Sequence, residues 1–187
     1  YASKVFATDE DNGVRPPTVN IVEFHVGQGH NASNKIEDDK IKYINNSEEA
    51  PIFKINQALN QNELIIFMAD RPINQNIELI PFFGKLAPID IAAFKIALAK
   101  KAPISFSFGF KGGGNDYHLY ISPPLWPEDF LSQGKHEAII ALAMKYTSAL
   151  EHYLMMYPNQ WFNFYPFWSA SPQNLSEYSK GSKSHSI

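Results

Sequence analysis

The chain has 187 residues, 44% of them hydrophobic and 19% charged, enough to bury a real core and too apolar to remain disordered. A net charge of −3 argues against a broad nucleic-acid footprint, and the absence of cysteine excludes disulfides, thiolate metal sites and cysteine nucleophiles. No apolar run approaches the ~20 residues that span a bilayer as a helix, and no signal-peptide or lipidation pattern stands at Tyr1.

In chain order, residues 1–6 have weak helical character, and the charged, Gly- and Pro-containing stretch from Asp9 to Pro17 reads as a loop. The apolar run Val19–Phe24 predicts a buried strand, and the polar stretch His25–Asn34 a loop. Ile41–Ile44 fits a short strand. Asn45–Glu49 then supply capping and acidic residues for a helix over Ala50–Asn60, with Ile52, Ile55 and Leu59 at helical spacing. Glu63–Met68 predicts a strand ending at Ala69-Asp70-Arg71-Pro72, and Ile77–Phe83 another, closed by Gly84.

Asp90 is placed to cap a helix that runs to about Lys101, with Ile91, Phe94 and Leu98 on one face and Pro103 beyond its end. Ser105–Phe110 alternates with the period of a strand that has one apolar face, and Gly112–Asn115 turns into Asp116–Ile121, which predicts a hairpin. A long amphipathic helix spans Lys135–Met156, its stripe formed by Ala138, Ile139, Leu142, Tyr146, Leu150 and Tyr153, and Pro158 stops it. Ser171–Ile187 lacks periodicity and reads as a polar, mobile tail after an α/β domain over residues 1–170. Strands alternating with helices and then giving way to a hairpin predict the α/β class, a mixed β-sheet flanked by helices.

Four groups carry candidate chemistry. His25-Val26-Gly27-Gln28-Gly29-His30 follows a predicted strand, where a base or two metal ligands can sit, but no third ligand stands at metal spacing; exposed loop histidines beside turn glycines are the simpler reading. Asp70-Arg71 follows a strand at an end that commonly lines a cleft. There Arg71 can clamp a phosphate or carboxylate, or the two residues can form a structural pair. Asp116, His118 and His152 have no spacing that requires them to meet and are assigned to structure. Gln160-Trp161-Phe162-Asn163-Phe164 is an aromatic cluster that packs a terminal segment onto a core, with an acyl pocket or a membrane surface as the alternative. GxSxG, Walker A, HExxH and Rossmann signatures are absent from the sequence.

The order of segments resembles the late acyltransferases of lipid A biosynthesis, the lauroyl and myristoyl acyltransferases and their Bacteroides-type relatives. The resemblance is carried by Gln57-Ala58-Leu59, Ile65–Arg71, Ile80-Pro81-Phe82-Phe83-Gly84, Ile91–Lys100 with Ala102-Pro103-Ile104, Tyr117-His118-Leu119-Tyr120, Pro123-Pro124 and Tyr157-Pro158-Asn159-Gln160-Trp161-Phe162. It covers about Val19 to Trp168, with Phe-Phe-Gly and Pro-Asn-Gln-Trp-Phe its most specific elements.

That resemblance implies a glycerol-3-phosphate acyltransferase-like fold, incomplete at its amino end. It also implies transfer of a fatty acyl chain from acyl carrier protein or acyl-CoA to a hydroxyl of a lipid acceptor, with no cofactor and no metal. The family's catalytic motif, a His followed five residues later by Asp or Glu, is expected at or before Tyr1, so no catalytic residue is assigned within these 187. The residue five after His25 is His30 and not a carboxylate, so that loop does not inherit the role. Asp70, Arg71, Phe83 and Gly84 are the expected substrate-binding residues. Asp90 departs from the family, where many relatives carry Gly. The parent is expected at the cytoplasmic face of the bacterial inner membrane, in contact with the membrane surface, and this chain itself is expected to be soluble, with no nucleic-acid partner. A non-catalytic homologue that binds a lipid or a partner protein is the alternative, and a metal-dependent hydrolase built on His25 and His30 ranks last.

Overall fold

The computed structural model describes residues 2–7, 19–23, 41–45, 51–71, 76–164 and 166–169. The expected loops over Asp9–Pro17 and His25–Asn34, with His25 and His30, lie outside the described residues. So do the capping stretch 46–49 and the tail Ser171–Ile187.

Among the described residues, eight strands and three α-helices build a mixed α/β domain. The strands are β1 (Ala2–Ala7), β2 (Val19–Glu23), β3 (Ile41–Asn45), β4 (Leu64–Phe67), β5 (Ile77–Phe82), β6 (Lys85–Asp90), β7 (Ile104–Lys111) and β8 (Tyr117–Ile121). The helices are α1 (Pro51–Asn60), α2 (Ala92–Lys100) and α3 (Lys135–Met156), with 3-10 turns over Pro127–Gln133, Pro158–Gln160 and Phe167–Ser169. Six strands form one sheet in the order β3-β2-β4-β1-β7-β8, and β5-β6 forms a separate two-stranded sheet.

Strands β2, β3 and β4 are parallel, whereas β1 is antiparallel to both β4 and β7. It follows that β4 and β7 point the same way, and that the carboxyl ends of β2, β3, β4 and β7 share one edge of the sheet with the first residue of β1. The weak helical expectation for residues 1–6 is corrected to a strand. Six residues are too few to sustain a helix alone. The slot between β4 and β7 instead pairs Val5 with both Phe67 and Phe106, so tertiary pairing overrides local preference.

Local chemistry explains the helix limits. Pro51 opens α1 at the position where a missing N–H costs nothing. Of the three apolar positions expected to face inward, Ile55 and Leu59 are buried, whereas Ile52 is exposed and Ala58 takes the third buried place. The expected Asp90 cap is corrected by one position: Ile91 is the N-cap of α2 and has no side-chain cap, while Asp90, the last residue of β6, accepts the N–H of Ala92, the first helical residue, through Oδ1 at 2.8 Å. The helix ends at Lys101 in the left-handed region, where the Ala102 N–H returns to the Ala97 carbonyl at 2.9 Å, and Pro103 prevents continuation.

The core lies between the main sheet, the β5-β6 hairpin and α3. Phe106, Phe108 and Phe110 alternate along β7 onto one face and are buried. Tyr146 of α3 is wholly buried among Phe94, Phe106 and Phe108, with ring centroids 6.2, 5.5 and 6.1 Å away. Burying rings of this size contributes about 1.5–3 kcal/mol each, which fixes α3 across the sheet. The β7-β8 hairpin forms as expected, and a Cβ at Gly112 would stand 2.7 Å from His118 Nε2, so that exposed ring would have to move aside.

Candidate functional site

Strand β4 is a short apolar run that carries Met68-Ala69-Asp70-Arg71 to the shared carboxyl-end edge. The segment is tied to the end of β6, where the Asp90 N–H donates to the Ala69 carbonyl at 3.0 Å. Asp70 is 4% exposed, and its Oδ2 accepts the indole N–H of Trp161 at 3.3 Å. Burial raises its carboxyl above the ordinary value of 3.8, and the Trp161 hydrogen bond, the Arg71 charge and a hydrogen bond from Tyr146 offset part of that rise. Arg71, the next residue, is exposed. The two residues are thus divided: a carboxyl turned into the protein and a guanidinium at its surface.

Phe83 and Gly84 form the tip of the β5-β6 hairpin. Their φ angles are 48° and 71°, and Phe82 pairs with Lys85 on either side. Two consecutive left-handed residues define the type I′ turn, whose twist suits a two-residue hairpin. Glycine meets that demand freely, whereas phenylalanine at Phe83 does not. Two side chains from elsewhere clamp the tip. Glu151 of α3 accepts the Phe83 backbone N–H through Oε1, and Trp168 donates its indole N–H to the Phe82 carbonyl at 3.2 Å.

Trp161 joins the two groups. While it bonds Asp70, its ring meets Phe82 edge-on at 5.3 Å, and Phe82 also contacts Phe83, Phe167 and Trp168 at 4.8, 5.7 and 5.9 Å. One residue earlier, Gln160 uses both ends of its amide on the Lys111 backbone, accepting the N–H at 2.7 Å and donating to the carbonyl at 2.8 Å. Gln160 thereby pairs with the β7 backbone two residues beyond Gly109, which faces Ala2. The Pro-Asn-Gln-Trp-Phe segment is therefore a staple across the ends of β4 and β7. Its Gln160 and Trp161 pack inward, whereas Phe162 and Phe164 remain exposed.

Other sequence candidates are spread apart by role. His118 lies alongside Tyr157, His152 lies edge-on to Tyr153, and the Asp116 carbonyl closes the hairpin loop on the Gly112 N–H. Among the described residues no group of three His, Asp or Glu is arranged to hold a metal ion. No helix among them is long and apolar enough to cross a membrane. Trp161 was legible as part of an aromatic cluster, but not as a partner of Asp70. Glu151 and Trp168 carried no signal distinguishing them from an exposed helix acid and a terminal aromatic.

A chemical division of labour follows. The buried carboxyl and its indole partner hold the loop after β4, the guanidinium beside them offers a planar double donor for an anion, and the clamped tip presents an apolar ring at the surface. The family model described as "Bacterial lipid A biosynthesis acyltransferase" matches residues 34–170, which include all of these groups. No curated protein matches the chain.

Proposed function

The chain belongs to the bacterial lipid A biosynthesis acyltransferase family, and from that premise we propose that it serves fatty acyl transfer to a lipid hydroxyl. The donor is an acyl thioester, on acyl carrier protein or coenzyme A, and the acceptor is a lipid A-type or other lipid. In the reaction the acceptor oxygen attacks the thioester carbonyl, a C–O ester bond forms, the C–S bond breaks, and the hydroxyl proton leaves to a base while the thiol is released. The proton-transfer pair lies outside the residues assigned above, and this chain contributes binding and positioning.

Arg71 engages an anionic group of the lipid acceptor or the phosphate of the donor's phosphopantetheine arm, for which its exposure and fork geometry are suited. Asp70 holds the segment that carries Arg71. Phe83 and Gly84 offer the acyl chain an apolar contact on a turn that does not need to reorganise. The observation that carries this reading is the bridge through Trp161, which joins Asp70-Arg71 to the Phe-Phe-Gly turn within one family-matched unit.

An acyl-transfer assay on the full natural protein tests it, with labelled acyl carrier protein and acyl-CoA offered in parallel to a lipid A precursor. Arg71→Ala is expected to raise KM for the partner it binds by about tenfold or more, with a smaller change in kcat. Lipid binding without transfer from either donor would replace this reading with that of a non-catalytic lipid-binding homologue.

A further inference from the structure

Strand β8 is the last in the order β3-β2-β4-β1-β7-β8, so β7 pairs with one of its sides and no described strand with the other. The register with β7 fixes which backbone groups face that open side. Ser122 donates its N–H to the Phe106 carbonyl at 2.8 Å, and Gly112 donates its own to the Asp116 carbonyl at 2.8 Å. Between those two bonds the register is unbroken, and counting by two makes Tyr120 and His118 the residues that bond Phe108 and Phe110. The N–H and C=O of Tyr117, Leu119 and Ile121 therefore point away from β7. Gln160 fits the same phase, because it takes both backbone groups of Lys111, the residue opposite Tyr117, and leaves neither for β8.

The side chains of the same three residues are also the open ones, at 75%, 67% and 59% exposure. They share the sheet face opposite Tyr120, whose ring lies 4.4 Å from that of Tyr153 and whose hydroxyl meets that of Tyr157 at 2.8 Å. Across from them β7 offers Lys111, Gly109 and Ser107, so no apolar side chain of that strand covers them. Edge strands are ordinarily blunted by a lysine, a proline or a bulge. Strand β8, Tyr-His-Leu-Tyr-Ile in unbroken register, has none of these and no Asp, Glu or Arg either.

We propose that β8 is a dimerisation edge, pairing antiparallel with β8 of a second copy about a two-fold axis at Leu119. A row of outward donors and acceptors selects an extended strand as its occupant, and the sequence of β8 supplies one that fits itself. With Leu119 facing its own counterpart, Tyr117 of each copy faces Ile121 of the other. Each of these pairs exchanges two backbone hydrogen bonds, and the exposed apolar side chains cover one another. The flanking Asp116 of each copy meets Ser122 of the other, so no like charges oppose. Because the contact is isologous, it uses both open edges at once and closes instead of propagating. Pairing by one short strand belongs with the small interfaces, below about 1,200 Å² in total, so the dimer is weak and concentration-dependent. The inference is independent of the acyl-transfer reading.

Sedimentation equilibrium of the 187-residue chain over a wide range of concentration, with no substrate present, tests the proposal. A reversible monomer–dimer equilibrium is expected, with a dissociation constant in the micromolar range or weaker. Leu119→Lys sets two ammonium groups face to face on the axis and should weaken association by about tenfold or more. Tyr117→Glu/Ile121→Glu should do the same, whereas Tyr117→Glu/Ile121→Lys sets opposite charges across each pair and should retain a salt-sensitive dimer. Only antiparallel pairing centred on Leu119 produces that contrast. Phe53→Glu, on the exposed side of α1, is the control and should associate as the wild type does. All the substituted side chains are exposed, and an unchanged thermal midpoint shows that each variant folds. A wild type that is monomeric at every concentration overturns the proposal, as does a dimer that survives Leu119→Lys. Equal association of the two double variants overturns it as well.

Discussion

Trp161 donates its indole N–H to the buried carboxylate of Asp70 across 91 residues of sequence. This bond holds the carboxy-terminal segment against the loop after β4, while the same ring packs on Phe82. Trp161→Phe keeps much of the packing and removes the donor, leaving Asp70 with one partner fewer in a buried setting. A loss of about 1–3 kcal/mol is expected in denaturant unfolding. Trp161→Ala should cost more, about 3–5 kcal/mol, because the cavity is added to the lost bond.

The same carboxyl predicts an unusual pH dependence. Burial, the largest cause, raises the Asp70 pKa above 3.8 in the folded state, so the folded protein binds that proton more tightly than the unfolded chain. Below 3.8 the group is protonated in both states and its penalty is absent. As pH rises through the folded value, stability is lost, and above it the loss stays constant. Asp70→Asn removes this titration, and its amide oxygen can still accept from Trp161. The stability of Asp70→Asn relative to wild type should therefore rise with pH above 3.8 and then level off, as measured by urea midpoints across pH. A flat difference would place the Asp70 pKa at its unfolded value.

What the residues disclosed in advance follows the reach of the interactions. The 22 residues of α3 repeat one apolar stripe over six turns, and β7-β8 combines alternation with a glycine turn, so both are readable locally. Strand β1 is not, because its conformation is set by β4 and β7, whose residues lie some 60 to 100 positions away. Strand β6 is hidden by Pro88, tolerable only because a two-stranded sheet leaves every strand with a free edge. Asp70, Arg71, Phe83 and Gly84 were singled out from their place in an ordered set of segments, as expected substrate-binding residues. That Trp161 links them was not legible, since a buried carboxyl and its donor share no sequence period.

Phe83 adopts a left-handed conformation that costs a non-glycine residue on the order of 1 kcal/mol. Asparagine tolerates this region, so Phe83→Asn should raise the thermal midpoint by a few degrees. It should also lower acyl transfer if the ring contacts the acyl chain. Gly84→Ala provides the counterpart. Nothing lies within 4 Å of its added Cβ, so only the backbone is strained, and a loss of about 1 kcal/mol is expected with no steric component. Calorimetry alongside turnover separates the two effects.

Glu151 reaches from α3 to accept the Phe83 N–H and, with Trp168 on the adjoining carbonyl, sets the attitude of the turn. It is half-buried near the carboxyl end of α3 and its bond to Phe83 is exposed, so its contribution to global stability should be small, about 1 kcal/mol or less. Its contribution to the site should be larger. Glu151→Ala frees the turn, and the Phe83 amide should exchange with solvent faster by an order of magnitude or more. Glu151→Gln retains an acceptor oxygen at the same reach and should restore most of the protection. If the turn positions substrate, Glu151→Ala raises KM for the acyl donor or acceptor and Glu151→Gln reverses most of that rise. Equal effects of the two variants would instead assign Glu151 to charge and not to positioning.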